Sequence, residues 1–83
     1  MNVKVLGPGC ANCAKLYAEA QKAIAQSGVQ ADLEKVEKMD EIARFHAMGM
    51  PALVVNGEVK CSGRIPAVRE IASWLTTAAA KEG

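Results

Sequence analysis

The sequence has no excess of charge of either sign. Its 83 residues include ten lysines and arginines against nine aspartates and glutamates, giving a formal net charge of +1. A protein that binds nucleic-acid phosphates or an anionic membrane usually carries a patch or a run of basic residues, and the sequence has neither. The charge pattern therefore indicates no nucleic-acid partner and no charged lipid partner.

Long apolar segments are also lacking. The apolar runs, such as Ala52–Val55, are far shorter than the roughly 20 residues that cross a bilayer. The N-terminus lacks the apolar region of a secretory signal, because Leu6 is followed at once by Gly7, Pro8 and Gly9. We therefore expect no membrane association and a cytoplasmic location.

Cysteine is scarce, with three residues in an 83-residue chain. The dense, even cysteine count of small secreted disulfide scaffolds is absent, and cytosolic thiols are normally kept reduced. The cysteines are therefore expected to have a chemical role. The length and a hydrophobic fraction of 51% predict a single folded domain over residues 1–83, with residues 79–83 as a frayed tail.

Hydrophobic periodicity and turn residues predict seven elements in the order strand, helix, strand, helix, strand, strand, helix. The predicted strands cover residues 2–6, 29–34, 52–55 and 58–62, and the predicted helices cover residues 13–27, about 39–48, and 66 onward. Gly28 is predicted to cap the first helix in the left-handed conformation. Asn56-Gly57 is typical of a two-residue hairpin turn, since both positions need positive φ.

This order predicts an α/β fold. The first strand, helix and second strand form a unit whose right-handed crossover makes the two strands parallel. The hairpin then extends the sheet in the antiparallel direction. The predicted architecture is β-α-β-α-β-β-α, with a four-stranded mixed sheet and helices on both faces.

The segment Cys10-Ala11-Asn12-Cys13 lies where the first strand has ended and the first helix begins. Unpaired N–H groups and the positive end of the helix dipole favour an anion there, so the thiolate of Cys10 is expected to be stabilised. Cys13, one turn further and on the buried stripe, can reach the sulfur of Cys10. We predict that Cys10 is the nucleophile and Cys13 the thiol that resolves a mixed disulfide.

Two other functions use the same segment differently. A Cys-x-x-Cys pair can arise by chance or form half of a metal knuckle, so the rival function is a soft-metal or metalloid binding module or metallochaperone. A redox-inert interaction domain is the third possibility. The strand-to-helix context favours redox chemistry, and no second pair at zinc-ribbon spacing exists. The redox function needs neither a metal nor an organic cofactor.

The chain resembles the small thioredoxin-like and glutaredoxin-like redox-active disulfide proteins of bacteria and archaea, members of the thioredoxin superfamily. The resemblance is carried by GPGCANC at 7–13, MPALVVNG at 50–57 and GRIP at 63–66. It implies that Pro51 is the cis-proline beside the cysteine pair and that Met50 offers backbone groups to the substrate. Gly9, Ala11 and Asn12 are implied as further substrate contacts.

The resemblance also implies an activity and its partners. The activity is thiol-disulfide oxidoreduction on a disulfide-containing protein or small molecule, by a protein expected to be a monomer. A thioredoxin-reductase-like donor, linked to NADPH or ferredoxin, is the implied electron source. Gly9 stands where full-size thioredoxins have tryptophan, and Ala11-Asn12 is an unfamiliar dipeptide between the cysteines. Glutathione use and the direction of electron flow therefore stay open.

The third cysteine has two interpretations. Counting outward from the Asn56-Gly57 turn puts Cys61 opposite Ala52, near the end of the sheet that holds Pro51. Cys61 is then either an auxiliary thiol, roughly two strand spacings from the dithiol, or a small buried apolar residue.

Several other residues also have both a functional and a structural interpretation. His46, on the face of the second helix with Ile42, is either the base of a cysteine hydrolase or a packing or surface histidine. Met39, Met48 and Met50 are either soft copper ligands or core fillers.

The loop residues Gly7, Pro8 and Gly9 either permit a close backbone approach near the site or only end the strand. Lys15 and Arg64 either favour a thiolate or glutathione carboxylates, or are solvated.

Overall fold

The computed structural model describes residues 1–9 and 11–82. In these ranges the elements follow the predicted order. They are β1 (Asn2–Leu6), α1 (Ala11–Ser27), β2 (Asp32–Val36), α2 (Met39–Ala43), β3 (Ala52–Val55), β4 (Glu58–Ser62) and α3 (Val68–Glu82). None of the helices in the described ranges combines the length and hydropathy that a bilayer span needs.

The strands form one mixed sheet in the order β2-β1-β3-β4. β1 and β2 are parallel, as the β-α-β crossover predicts. β3 pairs antiparallel with both β1 and β4, with Leu6 opposite Ala52 at the end of β1. The hairpin turn has positive φ at Asn56 and Gly57, as predicted, and Gly28 is left-handed after α1. The predicted α/β architecture is confirmed.

The two faces of the sheet are covered unequally. Helices α1 and α3 pack side by side on one face, and we call the cluster beneath them the α1/α3 core. Its buried members are Val3, Val5, Leu16, Ala20, Ala23, Leu53, Val55, Cys61, Ile71 and Leu75. The other face is covered by the five-residue α2 and the turn after it. Its buried members, the α2 core, are Leu6, Val36, Ile42, Ala52 and Val54.

The second strand begins later than its hydrophobic alternation predicts. The prediction of residues 29–34 is wrong, because β2 covers Asp32–Val36. The partner strand sets these bounds, since Asn2 pairs with Asp32 and Leu6 with Val36. The Gly7 N–H then donates to the Val36 carbonyl at 3.0 Å, which extends the pairing by one residue.

Helix α2 is shorter than predicted, and α3 begins later. The prediction of about 39–48 is wrong because α2 ends at Ala43 and the backbone becomes left-handed at His46, with φ 55°. His46 is therefore on a loop and not on a helix face. Pro66 is not the first residue of α3. The Ala67 N–H donates to the Glu70 carboxylate at 3.1 Å, which caps the start of the helix. Ala67 precedes Val68, where the helix starts.

A β-bulge changes the register of the hairpin. Val54 pairs with Val59 but Leu53 pairs with Cys61, so Lys60 is the extra residue of β4. The prediction that Cys61 lies opposite Ala52 is therefore wrong. A regular hairpin would put Lys60 opposite Leu53, on the face that joins the α1/α3 core. With the bulge, Cys61 takes the core position opposite Leu53, and the Lys60 ammonium pairs with the Glu58 carboxylate at 3.1 Å beside α3.

Candidate active site

Cys10, the predicted nucleophile, lies outside the described residues, so the site is described from the residues around Cys13. α1 begins at Ala11, and Cys13 is in its first turn. Ala11 and Asn12 are exposed, whereas only 6% of Cys13 is accessible to solvent. The first turn of α1 therefore presents two exposed residues and one buried sulfur.

The buried sulfur rests on Gly7. A Cβ atom added at Gly7 would overlap Cys13 Sγ and would lie 3.1 Å from Cys13 Cβ. Any side chain at position 7 would thus occupy the space that the sulfur now fills. The sequence left open whether Gly7 permits a close approach or only ends a strand, and the contact with Cys13 supports the close approach.

A cavity of about 130 Å³ adjoins Cys13. Its lining residues are Val5, Gly7, Gly9, Cys13, Ala14, Lys35 and Glu37. The Lys35 ammonium also lies 4.8 Å from the centre of the Tyr17 ring, within the range of a cation-π interaction. The buried sulfur is therefore bordered by a space large enough for water, and Lys35 and Glu37 are the charged residues that line it.

Gly9 has a backbone that few other residues adopt. Its φ is +92°, and a Cβ there would lie 3.0 Å from the Glu37 carboxylate. A tryptophan at this position, as in full-size thioredoxins, would be strained by the backbone and crowded by Glu37. The glycine thus follows from the local backbone conformation, and it leaves position 9 of the loop before α1 without a side chain.

The Met50–Pro51 segment lies across the sheet from the same loop. Leu6 pairs with Ala52 in the antiparallel register, so the next positions, Gly7 and Pro51, face each other. The Met50–Pro51 peptide bond is cis, the isomer that the resemblance implies. Pro51 is buried and its carbonyl accepts the Gly63 N–H at 3.0 Å, whereas 39% of Met50 is exposed.

Cys61 does not share this site. It is buried in the α1/α3 core opposite Leu53, and its thiol donates to the Arg64 carbonyl at 3.9 Å. Burial raises the pKa of the Cys61 thiol, against smaller opposing effects from Arg64 and the Leu53 backbone. Of the two interpretations of Cys61, auxiliary thiol or small buried apolar residue, these surroundings favour the second.

The raised pKa leads to a test of Cys61. In a Cys10→Ser/Cys13→Ser variant, alkylation of native Cys61 is expected to be at least about tenfold slower than in urea, because attack needs local opening and a thiolate. The folded state holds the thiol proton more tightly than the unfolded state, so the free energy of unfolding should fall as the pH rises above about 8.5. Mass spectrometry and urea titrations measure both effects.

A Cys61→Ala variant is the control for the pH effect, because it lacks the group that titrates. Its free energy of unfolding should show a smaller decrease above that pH. Equal alkylation rates in buffer and in urea would mean that the thiol is accessible in the folded protein.

The remaining candidates, Arg64, Lys15 and His46, do not line the cavity beside Cys13. Arg64 pairs with Glu70 at 3.0 Å, and the hydrogen bond from Arg64 lowers the pKa of the Glu70 carboxyl. The Arg64 guanidinium therefore has a carboxylate partner near the start of α3, and Lys15 is exposed on α1. His46 is exposed. Among the side chains of residues 1–9 and 11–81, no group of three or more His, Cys, Asp or Glu could hold a metal ion.

A protein-family comparison identifies the kind of protein to which this arrangement belongs. The Thioredoxin domain family model matches residues 1–76. The chain belongs to the thioredoxin family. A Thioredoxin of Methanothermobacter thermautotrophicus is 37% identical over 76 residues, which cover 92% of this chain and 99% of that protein. A Thioredoxin of Methanocaldococcus jannaschii is 30% identical over 73 residues, which cover 88% and 84%.

Family membership confirms the resemblance in the sequence and the coarse function that it implied. In general terms the protein is a thiol-disulfide oxidoreductase with a thioredoxin-type fold. In this thioredoxin-family chain, Lys35 and Glu37 are the site residues that the sequence prediction missed. Both follow the predicted end of the second strand, and a strand extended to Val36 would have brought them to the edge of the sheet where β1 ends.

Proposed function

We propose that the protein reduces or exchanges disulfides through Cys10 and Cys13, with Cys10 as nucleophile and Cys13 as resolving thiol. The observation that carries this proposal is the position of Cys13. Its sulfur is buried in the first turn of α1 and packed on Gly7. A sulfur in that position is shielded from external thiols yet is one helical turn along the chain from Cys10.

The proposed reaction transfers two electrons to the substrate in two exchange steps. The Cys10 thiolate attacks one sulfur of a substrate disulfide, forms a mixed disulfide and releases the other sulfur as a thiolate. Cys13 then loses its proton and attacks the Cys10 sulfur. The substrate leaves with both sulfurs reduced, and a Cys10–Cys13 disulfide forms.

The surroundings of Cys13 suit the second step. Its proton must leave a buried position, and the adjoining cavity leads to the Glu37 carboxylate. The wall of that cavity thus offers an acceptor for the proton, directly or through water. Gly9, Ala11 and Asn12 on one side and Met50 and Pro51 on the other are the proposed substrate contacts.

The proposed substrate is a disulfide-containing protein or small molecule. The proposed electron donor is a reductase of the thioredoxin-reductase type, which would return the Cys10–Cys13 disulfide to the dithiol. We further propose that the chain is one domain that acts as a monomer in the cytoplasm.

A trapping experiment tests the proposal. In a Cys13→Ser variant the first step proceeds but the second cannot, so substrates should accumulate as mixed disulfides on Cys10. Tagged protein is incubated with cell extract, alkylated and captured, and reducing gels should release partners from it. The Cys10→Ser/Cys13→Ser variant is the matched control, which retains Cys61 and should capture none of these partners.

Two outcomes would contradict the proposal. One is equal capture by the Cys13→Ser variant and its control. The other is tight, stoichiometric binding of copper(I) or zinc by wild-type cysteines together with no reduction of insulin disulfides. That second result would favour the soft-metal module that uses the same cysteines.

A further inference from the structure

Three exposed methionines border one groove beside the Met50–Pro51 segment. Met39, Met48 and Met50 are 58%, 94% and 39% exposed, and they are the large hydrophobic residues exposed in the described part of the chain. The groove has a volume of about 300 Å³. The lining residues are Met39, Ile42, Ala43, His46, Ala47, Met48, Gly49 and Met50. The single histidine of the sequence therefore borders the same space as three of its four methionines.

Their exposure separates these methionines from core fillers. Burying a methionine side chain stabilises a fold relative to leaving it exposed to water. Met39, Met48 and Met50 forgo much of this stabilisation, and the α2 core nearby is filled by aliphatic residues instead. The interpretation of these residues as gap fillers is therefore wrong for this fold.

The chemistry of the groove wall favours one class of ligand. Thioether sulfur is a soft ligand that selects copper(I), and imidazole nitrogen also binds copper. The lining residues include no carboxylate, so the wall has no side-chain oxygen for a hard cation such as Mg²⁺ or Ca²⁺. We propose that this groove binds a soft monovalent cation, copper(I), through the thioethers of Met39, Met48 and Met50 and the imidazole of His46.

The backbone brings these four residues together. α2 starts at Met39 and ends after little more than one turn, and the chain reverses at the left-handed His46. Residues 46–50 then return past the start of the helix. Methionine side chains have three rotatable bonds and readily adapt to a shared ligand. The proposed site uses no cysteine, and of the residues proposed to contact substrate it shares Met50 alone.

Silver(I), a soft monovalent cation that does not change oxidation state, is the first probe. The protein is a Cys10→Ser/Cys13→Ser/Cys61→Ala variant, which removes competing thiols and is checked for folding by circular dichroism. Its methionine methyl groups are labelled with ¹³C and followed by NMR. The methyl signals of Met39, Met48 and Met50 should shift and saturate at one equivalent of silver.

Met1 is the internal control, because it borders a different cavity with Ile24, Val29 and Asp32. Its methyl signal should not move at one equivalent. Copper(I), held under anaerobic conditions by a chromophoric chelator, should compete for the same site. Shifts of equal size at Met1, or failure of copper(I) to displace silver, would overturn the proposal.

Single substitutions test the ligand set in the same variant. Met48→Leu keeps the volume and removes the sulfur, and His46→Asn removes the imidazole while tolerating the left-handed backbone. Each should weaken silver binding by about tenfold or more, since even the loss of a residue that only orients a ligand costs 10–100-fold. Ala43→Ser, in the same groove, should leave the affinity unchanged. Unchanged binding in both ligand variants would refute the assignment.

Discussion

Replacing Gly7 with alanine is expected to destabilise the protein by about 1–3 kcal/mol, the usual cost of an atom forced into a filled site. The added methyl group would overlap Cys13 Sγ, so either the sulfur or the loop must move. In a domain of this size, each kcal/mol corresponds to a fall in melting temperature of roughly 4–8 °C. Urea and thermal unfolding measure the effect.

A double-mutant cycle isolates the contact between residues 7 and 13. Cys13→Ala removes the sulfur, so adding Gly7→Ala to it should cost much less than the same change in the wild type. The difference between the two costs is the coupling energy of the pair. A Gly7→Ala cost that is the same with and without the sulfur would mean that the backbone, and not Cys13, requires glycine.

The same substitution should slow the proposed resolution step. A displacement of about 1 Å can cost about 10²-fold in rate, so the mixed disulfide on Cys10 should persist roughly that much longer. Acid quenching and mass spectrometry follow its conversion to the Cys10–Cys13 form. Gly28→Ala is the matched control, because its left-handed backbone has open space around it and it is expected to cost about 1–2 kcal/mol without affecting the exchange rate.

Leu53→Ala is expected to cost about 2–5 kcal/mol, a large part of the 5–15 kcal/mol that stabilises a typical domain. Leu53 is fully buried in the α1/α3 core. It pairs with Val5 on one side and Cys61 on the other. With two long helices above this part of the sheet, the cavity left by the deleted atoms cannot readily collapse. Urea unfolding gives the change in free energy.

Leu6→Ala makes the same change on the opposite face. Leu6 is also fully buried, but it belongs to the α2 core, which is covered by a five-residue helix and a turn. That cover can move inward, so the cost should lie nearer the lower end of the same range. A Leu6→Ala cost equal to or above that of Leu53→Ala would refute the idea that the two faces differ in rigidity.

The sequence predicted the fold where local signals and tertiary partners agree. The bounds of β1, β3 and β4 match the predicted strands, and Asn56-Gly57 forms the expected turn. The second strand is different, because Val29 and Ala31 alternate with polar residues but have no partner in β1, which begins to pair only at Asp32. The early end of α2 could not be predicted, because neither glycine nor proline follows Ala43 within the next five residues.

The candidate site was predictable to a similar extent. The placement of Cys13 in a first helical turn, on a buried stripe, follows from spacing alone. The contact between Cys13 and Gly7 depends on how closely α1 approaches β1, which no local pattern encodes. The position of Cys61 depended on a one-residue bulge, and a slip of one residue exchanges the two faces of a strand. The cavity wall at Lys35 and Glu37 required the true end of β2.

The bulge at Lys60 also affects the tendency of the protein to pair with other copies of itself through its sheet. β4 is an edge strand of the sheet. The unpaired backbone groups of an edge strand can pair with a strand from another chain. An irregular strand that carries a lysine is a poor template, because an incoming strand cannot match its hydrogen bonds without interruption. The extra residue that places Cys61 in the core thus also protects the edge strand β4 against intermolecular strand addition and aggregation.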